Sequence, residues 1–400
     1  MPVQAEYYRK LHFMIKNYLS FVLFLALMSC KQSAQVTDVF GQHFPDSIPV
    51  VFAPDIISKE GRLEHGISFS PDNQQLIFGV LNEDDFSGTL FHSEWADNNW
   101  VDPLVFEPLI DKSAFLPYFS PDGNSLLFAQ SSSKTDFYLT DIWVMDKEND
   151  QWGISTKIEA PISSLARESS ASFTSDGTIY FSSNRDGNGL ADIYFSRLDN
   201  GKYLTAERID SVSTERDEES VFISPDERYM VLSRYVANDN PPDLFISYRD
   251  SNGNWTKPRS LDASINTGDW ERRPFVSSDH NFLFFTRLEI DEFNLSESDI
   301  YWVNTSKVFK PFIYNPLSPK TLQVDEQFEI QIPADYFKDI DDKELALRIR
   351  PHQLDWLEFD RERMKLSGTP TQPGDFELII SAEDDFLNRT EDRIKITVQN

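Results

Sequence analysis

Residues 117–128 read PYFSPDGNSLLF, in which a Ser-Pro-Asp-Gly turn separates two runs of aromatic and apolar residues. Proline fixes one backbone angle of such a turn, while aspartate and glycine tolerate the unusual dihedral angles that it requires. Aromatic and apolar residues on both sides favour extended strands. The segment therefore predicts an antiparallel β-hairpin.

This hairpin pattern occurs five times along the chain, and the turn aspartates of the five copies are spaced by 50, 54, 50 and 53 residues. The other copies are ISFSPDNQQLIF (67–78), ASFTSDGTIYF (171–181), VFISPDERYMVL (221–232) and PFVSSDHNFLFF (274–285). Each copy is followed by a second strand signature, such as Asp192-Ile193-Tyr194. Such repeats are typical of the blades of a β-propeller, whose radial packing leaves few strand edges exposed.

We therefore predict an all-β protein with a β-propeller over residues 46–314. Five blades match the five copies, and a sixth, degenerate blade is the alternative. The apolar segment Ile48–Ile57 precedes the first copy and has the character of an outer strand. We expect this segment to pair with the last blade and so to close the ring.

The repeats resemble the WD40-like propeller repeat of the TolB type, which is built around Phe-Ser-Pro-Asp-Gly and a later Asp-Ile-Tyr. The last copy ends in Ile300-Tyr301-Trp302-Val303, which is similar to bacterial lipoproteins that carry such repeats. The resemblance covers about residues 45–312 and implies the fold. It leaves the function open, because propellers bind, scaffold and catalyse.

Composition excludes several classes of partner and centre. Lysine and arginine number 37 against 66 aspartates and glutamates, which gives a formal net charge of −29. Such a surface repels a phosphate backbone, so nucleic acid is not an expected partner. The single cysteine, Cys30, excludes an internal disulfide and any multi-cysteine metal centre.

The N-terminal segment has the features of an export signal. Residues 18–29 read YLSFVLFLALMS behind several basic residues, and this run is shorter than the roughly 20 residues that a membrane-spanning helix needs. Leu27-Met28-Ser29-Cys30 resembles a bacterial lipobox, in which the cysteine is acylated and becomes the mature N-terminus. The resemblance implies a signal peptide over 1–29, a palmitate-type anchor on Cys30 and a tether over 30–45. Lys31 fits sorting to the outer membrane, facing either the periplasm or the exterior.

Residues 315–400 follow a Pro-Leu-Ser-Pro linker and predict a small β-sandwich. The sequences WLEFD (356–360), GTP (368–370) and AED (382–384) resemble the dystroglycan-type cadherin-like, or immunoglobulin-like, domain. The resemblance implies a spacer or adhesion module. Asp339, Asp341 and Asp384 are candidate ligands for calcium, which prefers carboxylate oxygens, and a solvated acidic loop is the alternative.

Candidate functional residues fall in columns when the five repeats are aligned. Four repeats carry a glutamate five residues before the apolar residue that precedes the turn, at Glu64, Glu168, Glu218 and Glu271. Beside them lie His65, Arg167, Glu219, Arg272 and Arg273. A second column follows the next strand, at Arg185, Arg234 and Arg287. Either the two columns pair with each other between blades, or they converge at the mouth of the central channel as a ligand-binding pocket.

We expect a non-enzymatic, exported lipoprotein whose propeller binds a protein partner or a glycan. The alternative is a carbohydrate-active enzyme. A glycoside hydrolase would use two of the four glutamates, whereas a polysaccharide lyase would use His65 as a base beside Arg272 or Arg273. Apart from calcium in the C-terminal module, no cofactor is expected.

Overall fold

The computed structural model describes residues 40–131, 139–236, 240–291, 294–341, 343–351 and 354–400. Pro45–Asn400 forms one compact unit, and the segment up to Phe44 is separate from it. The predicted signal peptide, Cys30 and most of the predicted tether lie outside the described residues. In the described part of the chain, no helix has both the length and the apolar character to cross a bilayer.

Residues 50–313 are almost entirely strands and turns, with a 3₁₀ helix at Glu107–Leu109 and an α-helix, α1, at Thr305–Val308. In chain order the strands are β1 (Val50–Val51), β2 (Leu63–Phe69), β3 (Gln75–Leu81), β4 (Gly88–Ala96), β5 (Asn99–Trp100), β6 (Leu104–Val105), β7 (Ala114–Phe119), β8 (Ser125–Ser131), β9 (Thr140–Glu148), β10 (Gln151–Trp152), β11 (Thr156–Lys157), β12 (Glu168–Phe173), β13 (Ile179–Ser183), β14 (Asp192–Ser196), β15 (Leu198–Asp199), β16 (Lys202–Tyr203), β17 (Glu207–Arg208), β18 (Glu218–Ile223), β19 (Tyr229–Tyr235), β20 (Pro242–Tyr248), β21 (Arg259–Ser260), β22 (Trp270–Val276), β23 (Phe282–Asp291), β24 (Asn294–Asn304) and β25 (Phe312–Ile313).

Each repeat unit forms an antiparallel sheet of four strands. These are sheet I (β2-β3-β4-β6), sheet II (β7-β8-β9-β11), sheet III (β12-β13-β14-β17), sheet IV (β18-β19-β20-β21) and sheet V (β22-β23-β24-β1). The first strands of the sheets contact one another in the cyclic order β2, β7, β12, β18, β22 and back to β2. The β-propeller prediction is therefore confirmed.

The turn chemistry explains why the Ser-Pro-Asp motif recurs. The Ser70 hydroxyl donates to the Asp72 carboxylate at 2.6 Å and accepts from the Gln75 amide at 2.9 Å, while Asp72 accepts from the Gln74 amide. The same pattern holds in sheet II with Ser120 and Asp122. Each turn thus satisfies its own backbone donors through two side chains.

Serine hydroxyls also join neighbouring sheets close to the axis. The Phe119 amide donates to the Ser68 hydroxyl at 3.0 Å, which links sheets II and I. The amide of Val221 donates to the hydroxyl of Ser170 at 3.1 Å, which links sheets IV and III. These small polar residues let the inner strands approach closely without leaving buried backbone donors unpaired.

The ring is closed by the chain's first strand, as expected for segment 48–57. Strand β1 pairs antiparallel with β24, with Val50 opposite Trp302 and Val51 opposite Tyr301. The next residue, Phe52, is fully buried, and its ring lies 5.1 Å from Phe284 and 5.7 Å from Phe69. Phe52 therefore packs between sheets V and I, where the two ends of the ring meet.

The C-terminal segment forms two further sheets over a core of its own. Its strands are β26 (Lys320–Gln323), β27 (Phe328–Gln331), β28 (Phe337–Lys338), β29 (Ala346–Pro351), β30 (Leu357–Asp360), β31 (Lys365–Gly368), β32 (Gly374–Glu383) and β33 (Arg389–Gln399). The sheets are β26-β33-β32-β29 and β27-β31-β30, while β28 pairs with β25. Leu366, Ile380 and Ile396 are among the buried residues that the two sheets share, as in a β-sandwich.

This sandwich lies directly against sheet IV of the propeller. The ring of Tyr248 stacks on Phe312 at 4.1 Å, and the Ser251 amide donates to the Tyr314 carbonyl at 2.8 Å. Arg259 donates to the hydroxyl of Thr390 at 3.2 Å. The predicted boundary between residues 314 and 315 thus falls inside one compact unit, and it stays a prediction.

Replacing Phe52 by alanine is expected to lower the free energy of unfolding by about 3–5 kcal/mol, because a fully buried aromatic ring is lost where the ring of sheets closes. Val50→Ala, in the same strand but exposed, should change it by less than about 0.5 kcal/mol. Urea unfolding of the two variants measures the difference. Equal stability of the variants would contradict this role of Phe52.

Candidate functional site

The four glutamates of the first column are fully buried. Each one pairs with an arginine: Glu64 with Arg62 at 2.7 Å, Glu168 with Arg185 at 3.2 Å, Glu218 with Arg234 at 2.7 Å and Glu271 with Arg287 at 2.9 Å. The predicted columns do pair in three sheets, but each pair lies within one sheet and not between blades as expected. Three arginines come from the adjacent strand or its end, while Arg62 comes from the loop before β2.

Each pair also fastens the loop that leads into the inner strand. Glu218 accepts from the amide of Thr214 at 3.1 Å and from its hydroxyl at 2.6 Å, while Arg234 donates to the Val212 carbonyl. In sheet V the same contacts join Glu271 to Thr267. We call this arrangement of glutamate, arginine and loop the loop clamp.

None of the loop-clamp residues lines the large cavity at the channel mouth. The prediction that Glu64, Glu168, Glu218 and Glu271 converge there with Arg185, Arg234 and Arg287 is therefore corrected. The physical reason is the alternation of side chains along a strand. Each glutamate lies on the sheet face that carries its arginine, and the next residue along the strand faces the channel.

The cavity has a volume of about 510 Å³, which lies within the usual range for small-molecule sites. Its charged and titratable lining comes from His65, Arg167, Asp217, Glu219, Arg272 and Arg273. Tyr235 and Trp270 lie beside them, with ring centroids 5.6 Å apart in an edge-to-face arrangement. The apolar lining includes Leu63, Leu81, Phe86, Phe115, Leu116 and Leu288.

A β-bulge in each inner strand directs these side chains into the cavity. The pairing register shifts just after the glutamate column in β2, β7, β12, β18 and β22. Leu116, Ser170 and Arg273 have positive φ angles there, as does Gly66. A bulge breaks the alternation of the strand, and consecutive residues such as Arg272 and Arg273 then both face the cavity.

Glycine relieves both backbone strain and crowding at the bulge of β2. A Cβ on Gly66 would lie 3.2 Å from the side chain of Leu116 and 3.6 Å from Cβ of Arg273, and φ of Gly66 is +78°. The backbones of sheets I, II and V therefore approach one another closely at this level.

Glu219 holds two of the three cavity arginines. Arg272 donates to Oε2 of Glu219 at 2.6 Å, and Nη2 of Arg273 lies 3.7 Å from the same oxygen. Burial opposes ionisation of Glu219, but the two guanidinium groups outweigh it and lower the pKa of this carboxyl. Glu219 is therefore ionised and ion-paired with both arginines.

His65 is held neutral. Burial, together with the positive charges of Arg273 and Arg272, lowers the pKa of His65 well below its ordinary value. Nε of Arg273 lies 3.2 Å from Nε2 of His65, so this imidazole nitrogen accepts the hydrogen bond and the ring proton is on Nδ1. Nε2 of His65 is thus occupied by the hydrogen bond from Arg273 and is not free to accept a proton from a ligand.

Asp217 and Arg167 are the remaining charges. Asp217 accepts from the Ala191 amide at 3.0 Å, and burial raises its pKa. Nε of Arg167 is buried without a hydrogen-bond partner among the described residues. Asp217, Tyr235 and Trp270 were not identified from sequence, although each directly adjoins a residue of the two aligned columns.

Aromatic rings fill the axis beyond the cavity. Tyr118 of β7 lies 6.1 Å from Phe222 of β18 and 6.0 Å from Phe275 of β22, measured between ring centroids. Strand β7 is a neighbour of neither β18 nor β22 in the cyclic order, so the rings meet across the axis. The cavity therefore has a closed floor.

The three candidate calcium ligands are engaged elsewhere. Asp341 pairs with Lys343 at 2.6 Å, and Asp384 accepts from the Asn388 amide at 2.8 Å. Burial raises the pKa of Asp339 to about 6, and the carboxylates of Asp341 and Asp384 add to that rise. Among the described residues, no group of three or more His, Cys, Asp or Glu side chains is placed to hold a metal ion. The structure thus gives no support to the calcium prediction.

No family model matches the chain, and neither does any curated protein. Among solved structures, the catalytic domain of a Coprinopsis cinerea α-L-arabinofuranosidase is 9% identical, with a TM-score of 0.42 over 66% of this chain and 99% of that one. A gluconolactonase from Xanthomonas campestris is 13% identical, with a TM-score of 0.37 over 66% and 98%. Kuenenia stuttgartiensis hydrazine synthase is 16% identical, with a TM-score of 0.35; this chain covers 64% of it, less than two thirds. The function is therefore argued from the cavity alone.

The loop clamp of sheet I makes stability depend on pH. Burial raises the pKa of Glu64 from 4.5 to about 7. The folded chain therefore keeps a proton that the unfolded chain releases, and the resulting stabilisation is full below pH 4.5 and lost as the pH rises through 7. Glu64→Gln should remove roughly 3 kcal/mol of this pH-dependent difference.

Urea unfolding at pH 4.5 and pH 7.5 measures the effect. Glu60→Gln, an exposed carboxylate in the same loop, is the matched control and should behave as the wild type. An unchanged pH dependence in Glu64→Gln would show that Glu64 titrates alike in the folded and unfolded chains.

Proposed function

We propose that this chain is an exported, membrane-anchored binding protein whose propeller holds a small ligand in the channel-mouth cavity without converting it. The observation that carries the proposal is a cavity of about 510 Å³ with a closed floor, an apolar wall and a charged wall. A concave site of this size suits a small molecule or the end of a glycan chain. A protein partner needs a wider surface, of about 800 Å² on each side.

The engagement of the polar groups favours binding over catalysis. A glycoside hydrolase needs two available carboxyl groups across an open pocket. Here Glu219 is paired with Arg272, Asp217 accepts from a backbone amide, and the four column glutamates belong to the loop clamps. A lyase base at Nε2 of His65 would first have to release Arg273.

Trp270 and Tyr235 are the expected contacts for the body of a ligand. Their rings lie at the mouth, and aromatic faces pack well against apolar groups and sugar rings. A glycan, the partner predicted from the sequence, is one candidate ligand for this end of the cavity.

The binding test uses an array of neutral and acidic oligosaccharides together with a panel of carboxylic acids, followed by titration calorimetry of each hit. Trp270→Ala should weaken binding about ten-fold, or ~1.4 kcal/mol. Trp95→Ala, a partly exposed tryptophan outside the cavity, is the matched control and should leave binding unchanged.

Assays for reducing sugar and for unsaturated uronate accompany the titrations. Product formation would overturn the non-enzymatic proposal. If no compound binds, or if Trp270→Ala and Trp95→Ala weaken binding equally, the cavity is not the ligand site.

The membrane anchor is proposed from the lipobox-like sequence that ends at Cys30. Several buried acyl chains would hold the protein firmly at a membrane, since each CH₂ contributes about 0.8 kcal/mol. In a bacterial host, Cys30→Ala should abolish palmitate incorporation and release the chain from the membrane fraction. Ser33→Ala, in the same tether, should do neither. Palmitate labelling of Cys30→Ala would contradict the assignment.

A further inference from the structure

The charged residues of the cavity and most of its apolar residues come from different sheets. Leu63, Leu81, Phe115 and Leu116 come from sheets I and II, where the inner strands carry few charged groups at this level. Arg167, Asp217, Glu219, Arg272 and Arg273 come from the side of sheets III to V. One ligand in this cavity therefore meets an apolar wall on one side and a charged wall on the other.

The charged wall carries an excess of one positive charge. Three arginines face two carboxylates, and His65 is neutral. Arg272 is matched by Glu219 at 2.6 Å. Arg273 donates to His65 and to the Glu219 carbonyl, at 3.2 and 3.0 Å. The rest of the molecule is strongly acidic, with a net charge of −29, so a cationic wall here is a local departure from the surface.

Arg167 is the cation whose hydrogen-bonding capacity is unused. Its guanidinium has no hydrogen bond or ion pair of 4.0 Å or less to the described residues, and its Nε is buried without a partner. A buried donor without a partner costs free energy. A planar guanidinium matches a carboxylate through two parallel hydrogen bonds. The unused group therefore points to a ligand anion of that shape.

We propose that the ligand is an amphipathic monocarboxylic acid, with its carboxylate bound by Arg167 and its apolar body against the wall of sheets I and II. The proposal rests on the proposed function and names the chemical class of its ligand. One carboxylate neutralises the one excess charge, and the apolar body replaces water against Leu63, Leu81, Phe115 and Leu116.

The test compares matched acids and neutral counterparts by titration calorimetry on the full chain. The pairs are 3-phenylpropanoate with its primary amide, decanoate with decanol, and methyl β-D-glucuronide with methyl β-D-glucoside. For the wild type we expect each of the first two acids to bind at least ten-fold more tightly than its neutral counterpart. We also expect them to bind more tightly than the glucuronide, whose body is polar.

Arg167→Gln should abolish the preference for the acid while leaving the neutral compounds unchanged. Arg361→Gln makes the same change of net charge on the exposed surface of the C-terminal sandwich and should keep the preference. Because the side chain of Arg167 makes no hydrogen bond to the described residues, its variant should unfold at the same urea concentration as the wild type. Arg167→Lys, which keeps the charge but loses the planar fork, should retain part of the preference.

The outcomes separate the two proposals. Equal binding of acids and neutral compounds, or an acid preference that survives Arg167→Gln, would overturn the carboxylate assignment. Tighter binding of the glucuronide than of the two apolar acids would overturn the apolar body and indicate an acidic sugar. Binding of array oligosaccharides that depends on Trp270, without binding of any acid, would overturn this inference and leave the proposed function standing. Binding of no compound in either experiment would overturn both.

Discussion

The closure of the propeller depends on the pairing of strand β1 with β24 of sheet V. Two residues of β1 complete sheet V, and Phe52 immediately afterwards fills the junction with sheet I. Without this pairing, β24 would be an open edge of sheet V, and the junction with sheet I would lose Phe52. The cavity is formed by residues of all five sheets, so its geometry follows directly from closure.

Charged residues at the channel mouth divide into two groups by their position on the inner strand. Side chains in the glutamate column point along the sheet face, where they fasten the incoming loops. The side chain one position later points to the axis by the usual alternation, and the next one does so because the bulge interrupts that alternation. Sheet II has Ala114 where the other four sheets have a glutamate, so its entry loop lacks the loop clamp.

The repeats, the turn chemistry and the closing segment were all predictable from sequence, because each depends on local patterns that recur at a fixed spacing. The pairing of glutamate with arginine was also predictable, since both columns recur together. The cavity lining was predicted only in part. His65, Arg272 and Arg273 adjoin the column, but their orientation depends on bulges at which the non-glycine residues Leu116 and Arg273 adopt positive φ angles. Tyr235 and Trp270 adjoin Arg234 and Glu271, but the other repeats carry no aromatic residue at these two positions, so no recurring pattern marks them.

The rings of Tyr118, Phe222 and Phe275 block the central channel of the propeller, so the cavity opens at one end only. A bound molecule must leave by the opening through which it came. Its dwell time is then governed by contacts at that opening, and nothing can be passed along the axis to the opposite side. Such a propeller is suited to retaining or presenting a bound molecule. Transfer of that molecule to another protein would require the second protein to dock at the opening itself.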